Sequence, residues 1–418
     1  MNILFIHYHH FRSNSAIHIV NLARELRARD HDCAVCVPFG AETVECFPDM
    51  VAAAHSFTDL RARGMTFSNG KGPDLLHAWT PRELVRVMTR RLHRIHGCPY
   101  LVHLEDNEAY LLECHAGAPV AALLQQSPVR LHRTVGPAHT HPKRSVPFLA
   151  GAGGLSAIVA PLLENSPPDL PRDVIPPAAE DDFFTPRATD PEQKKQLGLA
   201  DDEVVLFYPG NVHDANRDEV AELYRAVQRL NEQGCRTRLV RTGEDGGGSL
   251  VRRLGLPQEF FIELGYRPRE ELPSLYALAD ALVQPGRPGP FNDFRLPAKL
   301  PEFFAAGKPV LLPATNVGLD VKDGEDALVL QRGDAEEIAT RLLEVIHSPA
   351  LRERLCTGAA DFAARHFSWA RSADRLLGLY ERVLHHPGDR QMVGVRGPVE
   401  SLRDAWCRGS WFRPREDT

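Results

Sequence analysis

Three charged residues gather at the start of one short segment. In RLPAKLPEFFAAGKPVLLP, residues 295–313, Arg295, Lys299 and Glu302 precede an apolar stretch of Phe303, Phe304, Ala305 and Ala306. Gly307 then stops the helix, and Val310, Leu311 and Leu312 begin a buried strand. Pro297 fits the first helical position, which places Arg295 just ahead of the helix and Lys299 in its opening turn. A helix start offers unpaired N–H groups and a partial positive charge, so it favours an anion. Two cations at that end oppose the dipole, and a bound phosphate reverses the penalty. Glu302 has two readings. Its carboxylate can accept the two hydroxyls of a ribose, or it can form an i,i+3 ion pair with Lys299 on a solvated face.

A second group of acids lies in LVHLEDNEAY, residues 101–110, where Glu105, Asp106 and Glu108 follow directly on an apolar strand. Carboxylates at the carboxyl end of a strand can accept hydrogen bonds from sugar hydroxyls. The bland alternative is a helix cap from Asp106 or Asn107; we expect function at Glu105 and Asp106, and capping at Glu108. His7, His9 and His10 raise the question of metal, since His10 can meet His18 or His103 in space. Without a paired carboxylate motif, structural or acceptor contacts are the expectation, and no metal site is expected. Cys33 and Cys36 form a C-x-x-C inside the apolar run CAVCVP, with no second pair at zinc spacing, and read as small buried residues. GEDGGG, residues 243–248, lacks the spacing of a dinucleotide fingerprint.

These residues need elements to hold them. A chain of 418 residues exceeds what one core usually supports. Its 43% hydrophobic and 25% charged residues are ordinary for a globular protein. A net charge of −6 argues against nucleic acid as the main partner. No apolar run reaches the roughly 20 residues of a membrane span, and MNILFIHYHHF reads as a first strand, so cytoplasm is the expected location. Strands NILFIHY, CAVCVP, DLLHAW and YLVHL alternate with helices SAIHIVNLARELRARDH and PRELVRVMTRRLHRI, while residues 115–150 are less regular. Between about Pro167 and Pro191 a proline- and acid-rich stretch interrupts the pattern. Alternation resumes with VVLFYPG, DEVAELYRAVQRLNEQG, TRLVRTG, REELPSLYALAD, ALVQP and AEEIATRLLEVI. The fold class is therefore α/β, with two Rossmann-like domains facing each other across a cleft. The expected division is 1–185, 186–384 and a polar tail, 385–418.

At this point RLPAKLPEFFAAGKPVLLP resembles the donor-binding helix of family 4 glycosyltransferases, retaining GT-B enzymes that use nucleotide sugars. DLLHAWTPRE, VIPPAAEDDFFTP, FYPGNVHDANRDEV, RTGEDGGG, LGYRPREELPSLYALADALVQP and FSWARSADRLLGLYERVL resemble family segments in the same order. The likeness covers most of residues 1–384 and is more specific in the second half. It implies a first domain that binds the acceptor and a second that binds the nucleotide sugar, with the last helix, about 367–384, crossing back to the first domain.

Residue by residue, the resemblance implies a donor site of Gly210, Asn211, Arg217, Arg241, Tyr266, Asn292, Asp293, Arg295, Lys299 and Glu302. Glu302 would hold the ribose, Arg217 and Arg241 the diphosphate, and Tyr266 the base, unless Tyr266 is core. Lys299, Glu105 and Asp106 are the expected catalytic contributors. Ser13, Asn14, Ser15, Glu105 and Asp106 are expected to meet the acceptor, near a position where many relatives place a histidine. Two family features are missing. Asn211 stands where the family has an arginine. Phe294 stands where it has a first glutamate, which leaves Asp293 or Asn292 as the substitute. The first loop, HFRSNSAIH, also lacks the usual glycines.

The implied reaction is metal-independent, cofactor-free, retaining transfer to an acceptor hydroxyl in glycan, polysaccharide or glycoconjugate synthesis, with a UDP-sugar ahead of a GDP-sugar. Two alternatives are a catalytically degenerate relative acting as a binding or partner subunit, and another GT-B enzyme such as a sugar-nucleotide epimerase. The acceptor is a sugar or a lipid-linked saccharide. The tail, with Trp406, Trp411, Phe412, Arg403, Arg408 and Arg413, either docks on the protein or touches the inner face of a membrane peripherally.

Overall fold

A computed structural model of the chain describes residues 1–47, 52–164, 169–213, 215–246 and 248–385. The tail contacts expected beyond residue 385 lie outside the described residues, as does Gly247 of the glycine run.

The apolar runs become two parallel sheets. The first has seven strands: β1 (Asn2–Ile6), β2 (Asp32–Val37), β3 (Ala53–Ser56), β4 (Leu75–Trp79), β5 (Tyr100–Leu104), β6 (Gly154–Ala157) and β7 (Arg172–Val174), ordered β3-β2-β1-β4-β5-β6-β7. The second has six: β8 (Val204–Pro209), β9 (Thr237–Thr242), β10 (Phe261–Glu263), β11 (Ala281–Val283), β12 (Val310–Pro313) and β13 (Leu328–Leu330), ordered β10-β9-β8-β11-β12-β13. Every residue of β1, β4 and β5 is buried, because helices cover both faces of a parallel sheet. The order turns beside β1 in the first sheet and beside β8 in the second, so each sheet has a switch point where loops diverge.

The proline-rich stretch is not all connection, since Arg172–Val174 pairs with β6. Residues 115–150 contain three short helices, Val120–Leu123, Pro128–Val135 and Pro142–Ala150. Leu112, Leu123, Leu131 and Val135 form a small apolar cluster of their own there. Cys33 and Cys36 are free and buried on β2.

The last helix, Trp369–His385, returns to the first domain. It packs on the helix Asn14–Arg27 and on β6 and β7. Ser372 Oγ donates to the Pro176 carbonyl at 2.9 Å, and Tyr380 Oη lies 2.8 Å from His77 Nδ1. The helix approaches so closely that a Cβ on Gly154 would meet Val383 at 2.6 Å. Ala373, Leu376, Leu379 and Tyr380 are fully buried, an apolar stripe at helical spacing that a free helix end would expose.

Candidate active site

The helix carrying Lys299 and Glu302 runs from Lys299 to Ala305, two residues shorter at its start than the sequence implied. Ala298 is its N-cap, and Arg295 is extended, with φ −142°. Lys299 therefore occupies the first helical position and Glu302 the fourth. The chain is held in this path by Asn316, whose Nδ2 donates to the Asn292 and Arg295 carbonyls at 2.6 and 2.8 Å.

The i,i+3 pair does not form. Lys299 makes no ion pair or hydrogen bond with a described residue; its ammonium sits 3.8 Å over the Tyr208 ring. The last residues of β8 and the following loop leave room for it: a Cβ on Gly210 would come within 2.5 Å of Lys299 Nζ. Burial, then the Arg295 and Arg241 charges, hold the ammonium pKa well below its ordinary value. Arg295 lies 3.9 Å over the Phe291 ring, and burial lowers its pKa as well. Lys299 is thus uncomfortable without an anion, while Glu219 and Asp106 partly offset the cost at Arg295.

Glu302 is buried and has partners elsewhere. Tyr276 Oη donates to its Oε2 at 2.7 Å, and an Arg269 guanidinium nitrogen lies 2.8 Å from its Oε1. Arg269 Nε also donates to Glu180 at 2.7 Å, and Glu180 accepts from Asn21 of the first domain at 3.2 Å. Each carboxylate oxygen of Glu302 retains a lone pair, so a diol can still bind. Arg269, Tyr276 and Glu180 have no spacing signal in the sequence; only the fold brings them to Glu302.

Around this centre, the donor-side candidates divide. Tyr266 is 72% exposed on the loop after β10, which rules out the core reading. Arg241 is buried at the end of β9, with Asp245 at 2.8 Å, Glu263 at 3.5 Å and the Gly210 carbonyl at 3.2 Å. Its charge is therefore already answered. Arg217 opens the helix Arg217–Glu232. Asn216 does not cap that helix with its side chain. Its Oδ1 accepts from His213 N, and its Nδ2 donates to the Asn211 carbonyl, tying the loop to itself. Asn211 in turn accepts from Glu244 N at 2.8 Å. Asn292 is buried and donates to Glu219 and the Arg287 carbonyl. Asp293 is half-buried in the turn Asn292–Phe294, its N–H bonded to Gly289.

The first domain supplies the facing side. Glu105 is buried at the end of β5, and Ser15 Oγ donates to its Oε2 at 2.6 Å, with Tyr8 Oη 2.8 Å from the same hydroxyl. Burial, and then Asp106, push the Glu105 carboxyl up to about 7. Ser13 Oγ is 2.8 Å from His7 Nε2 and Asn14 is exposed at the start of its helix. Asn107, not Glu108, caps the next helix, accepting from Tyr110 N. Arg82 joins Asp106 at 3.4 Å and Glu108 at 3.0 Å. The domains touch beside the site: Asn107 Nδ2 donates to the Pro290 carbonyl at 3.1 Å, and the Tyr110 and Phe291 rings are 5.9 Å apart. Asp106 and Arg295 lie close enough to feel each other's charge across this boundary. The meeting of His10 with His18 or His103 does not form. His18 and His103 meet, with ring centroids 5.4 Å apart, whereas His10 packs against His9 and Phe39.

Residues 203–348, which carry Lys299, match the family described as Glycosyl transferases group 1. A D-inositol 3-phosphate glycosyltransferase of Stackebrandtia nassauensis is 32% identical over 245 residues, 55% of this chain and 52% of that protein. The Corynebacterium diphtheriae enzyme of the same name is 28% identical over 57% of this chain and 54% of that one. The chain thus spans about half the length of the curated relatives it matches. Among solved structures, Anabaena HepE in complex with UDP-glucose superposes with a TM-score of 0.67 at 15% identity, covering 91% of this chain and 99% of that one. Sucrose-phosphate synthase from Thermosynechococcus elongatus gives 0.64 at 17% identity over 92% and 99%. The fold is GT-B, two Rossmann-like domains in an α/β chain.

Proposed function

We propose that this GT-B protein transfers a glycosyl group from a nucleoside-diphosphate sugar, a UDP-sugar first, to an acceptor hydroxyl with retention at the anomeric carbon. The observation that carries this reading is the Lys299 ammonium. It is half-buried, has no described carboxylate partner, stands 3.8 Å over Tyr208 and lies beside Gly210 on the glycosyl transferases group 1 segment. A diphosphate supplies the missing negative charge. The names of the relatives support glycosyl transfer, and the UDP-glucose held by HepE supports the donor class.

In this reading the bond between the anomeric carbon and the β-phosphate oxygen breaks as the acceptor oxygen attacks, and the acceptor's proton passes to the departing phosphate oxygen. Negative charge builds on the leaving diphosphate, where Lys299, Arg295 and Arg217 stabilise it. Tyr266 stacks on the base, and Glu302, oriented by Tyr276 and Arg269, accepts from the ribose. Glu105, Asp106, Ser13, Asn14 and Ser15 receive the acceptor, a sugar or lipid-linked saccharide. No protein nucleophile is assigned. Nucleotide release from a panel of UDP-, GDP-, ADP- and TDP-sugars tests the proposal. Release with a UDP-sugar, lost in Lys299→Gln, is the expected result. A folded protein that binds UDP and releases none from any donor would instead be a degenerate binding subunit.

A further inference from the structure

Beneath the acceptor side lies a cluster whose two histidines have no part in the proposed transfer and which shares Glu105 with the acceptor side. His18 from the helix Asn14–Arg27, His103 from β5 and Glu105 just past that strand each place a potential ligand atom within 4.8 Å of the others, and all three are buried. We propose that His18, His103 and Glu105 form a site for one divalent transition-metal ion of the zinc class.

The hydrogen bonding of the two histidines supports this. A neutral imidazole carries one N–H and one lone pair, and both want partners when buried. Among the described residues neither nitrogen of His18 has one, and His103 Nε2 has none. His18 is instead enclosed by rings, with Trp79 at 5.0 Å, Trp369 at 5.2 Å and His103 at 5.4 Å between centroids. Rings of that kind exclude water but satisfy no lone pair. A metal ion takes up the lone pairs that the packing leaves over.

The surroundings also fit. Metal-bound histidines usually anchor their second nitrogen to an outer partner. His103 Nδ1 lies 2.9 Å from Ser156 Oγ, and that hydroxyl lies 3.4 Å from His77 Nε2, whose Nδ1 meets Tyr380 Oη at 2.8 Å. With protons running from His103 towards Tyr380 along this chain, Nε2 of His103 presents a lone pair. Glu105 is steadied by Ser15. Two imidazoles and one carboxylate are a donor set that suits zinc and leaves a coordination position open. One carboxylate against a divalent ion leaves a net positive charge, so the open position favours water or an oxygen donor.

The site stands independently of the donor reading, and its test reads metal rather than turnover. Full-length protein without a histidine tag is stripped with chelator and titrated with Co²⁺, followed by visible absorption, then competed with Zn²⁺. The expected result is one equivalent of Co²⁺ with the absorption of a low-coordinate nitrogen–oxygen site, displaced by one equivalent of Zn²⁺. His18→Gln and His103→Gln each abolish the spectrum. His347→Gln, on a helix end of the second domain, leaves it intact. Circular dichroism verifies folding, and because His18 lies on a helix rather than within a strand, His18→Gln is the decisive variant should His103→Gln misfold. Absence of stoichiometric binding, or binding unchanged in folded His18→Gln, overturns the proposal.

Discussion

At the residue scale, Lys299 and Glu302 behave differently although they are one turn apart. Lys299→Gln removes a desolvated charge with no described partner. It should lower the rate of nucleotide release by on the order of a hundredfold while leaving the melting temperature unchanged or higher. Glu302→Ala leaves Arg269 half-answered and Tyr276 without its acceptor, so it should cost up to about 3 kcal/mol of stability as well as donor affinity. Glu302→Gln should keep most of the stability, which separates the two effects in a thermal melt. Lys299 also predicts a pH dependence. Its pKa in the free protein lies below the ordinary 10.5, so the folded state binds fewer protons than the unfolded chain between those values, and stability rises with pH through that window. A diphosphate restores the charge. Binding of UDP should therefore take up a proton above the lowered pKa, and affinity should fall as pH rises. Calorimetry in buffers of different ionisation enthalpy measures the proton, and its persistence in Lys299→Gln would assign it elsewhere.

At the element scale, two loops of the second domain set the floor of the site. Gly243 has φ +93°, and a Cβ there would stand 2.6 Å from the Gly210 carbonyl carbon. Gly243→Ala should destabilise the domain by about 1–3 kcal/mol, since both backbone conformation and contact oppose it. Gly210→Ala is milder for the fold but displaces the Lys299 ammonium, so nucleotide release should fall with little change in melting temperature. These elements were mostly legible. The apolar runs gave β1, β2, β4, β5, β8, β9, β11 and β12, because strands buried on both faces need continuous Val, Leu and Ile. β3 and β7 were not, since AAHS and RDV are short and polar and become strands only by pairing at the sheet margin. The short helices of residues 115–150 escaped because Pro119, Pro128, Pro142 and Pro147 break the periodicity that marks a helix. The late start of the Lys299 helix likewise followed from the path Asn316 imposes on the Asn292 and Arg295 carbonyls.

At the scale of the whole molecule, the last helix binds the two domains. Tyr380, Leu376, Leu379 and Val383 are buried against the first domain although the chain reaches them from the second. Ending the chain before Trp369 should expose that stripe and leave the first domain susceptible to proteolysis, whereas Tyr380→Phe should cost only about 1 kcal/mol, the worth of one hydrogen bond. Among the described residues no helix is long and apolar enough to cross a membrane. The sequence by itself determined which runs become buried strands, that two α/β domains follow one another, and that Lys299 and Glu302 stand together on a short helix. Those properties depend on local periodicity and on neighbours within a few residues. The tertiary structure alone decided that Glu302 answers Arg269 rather than Lys299, that Arg241 is committed to Asp245 and that His18, His103 and Glu105 converge. Each of those depends on charges and lone pairs meeting across elements far apart in the chain, where burial removes water as the alternative partner.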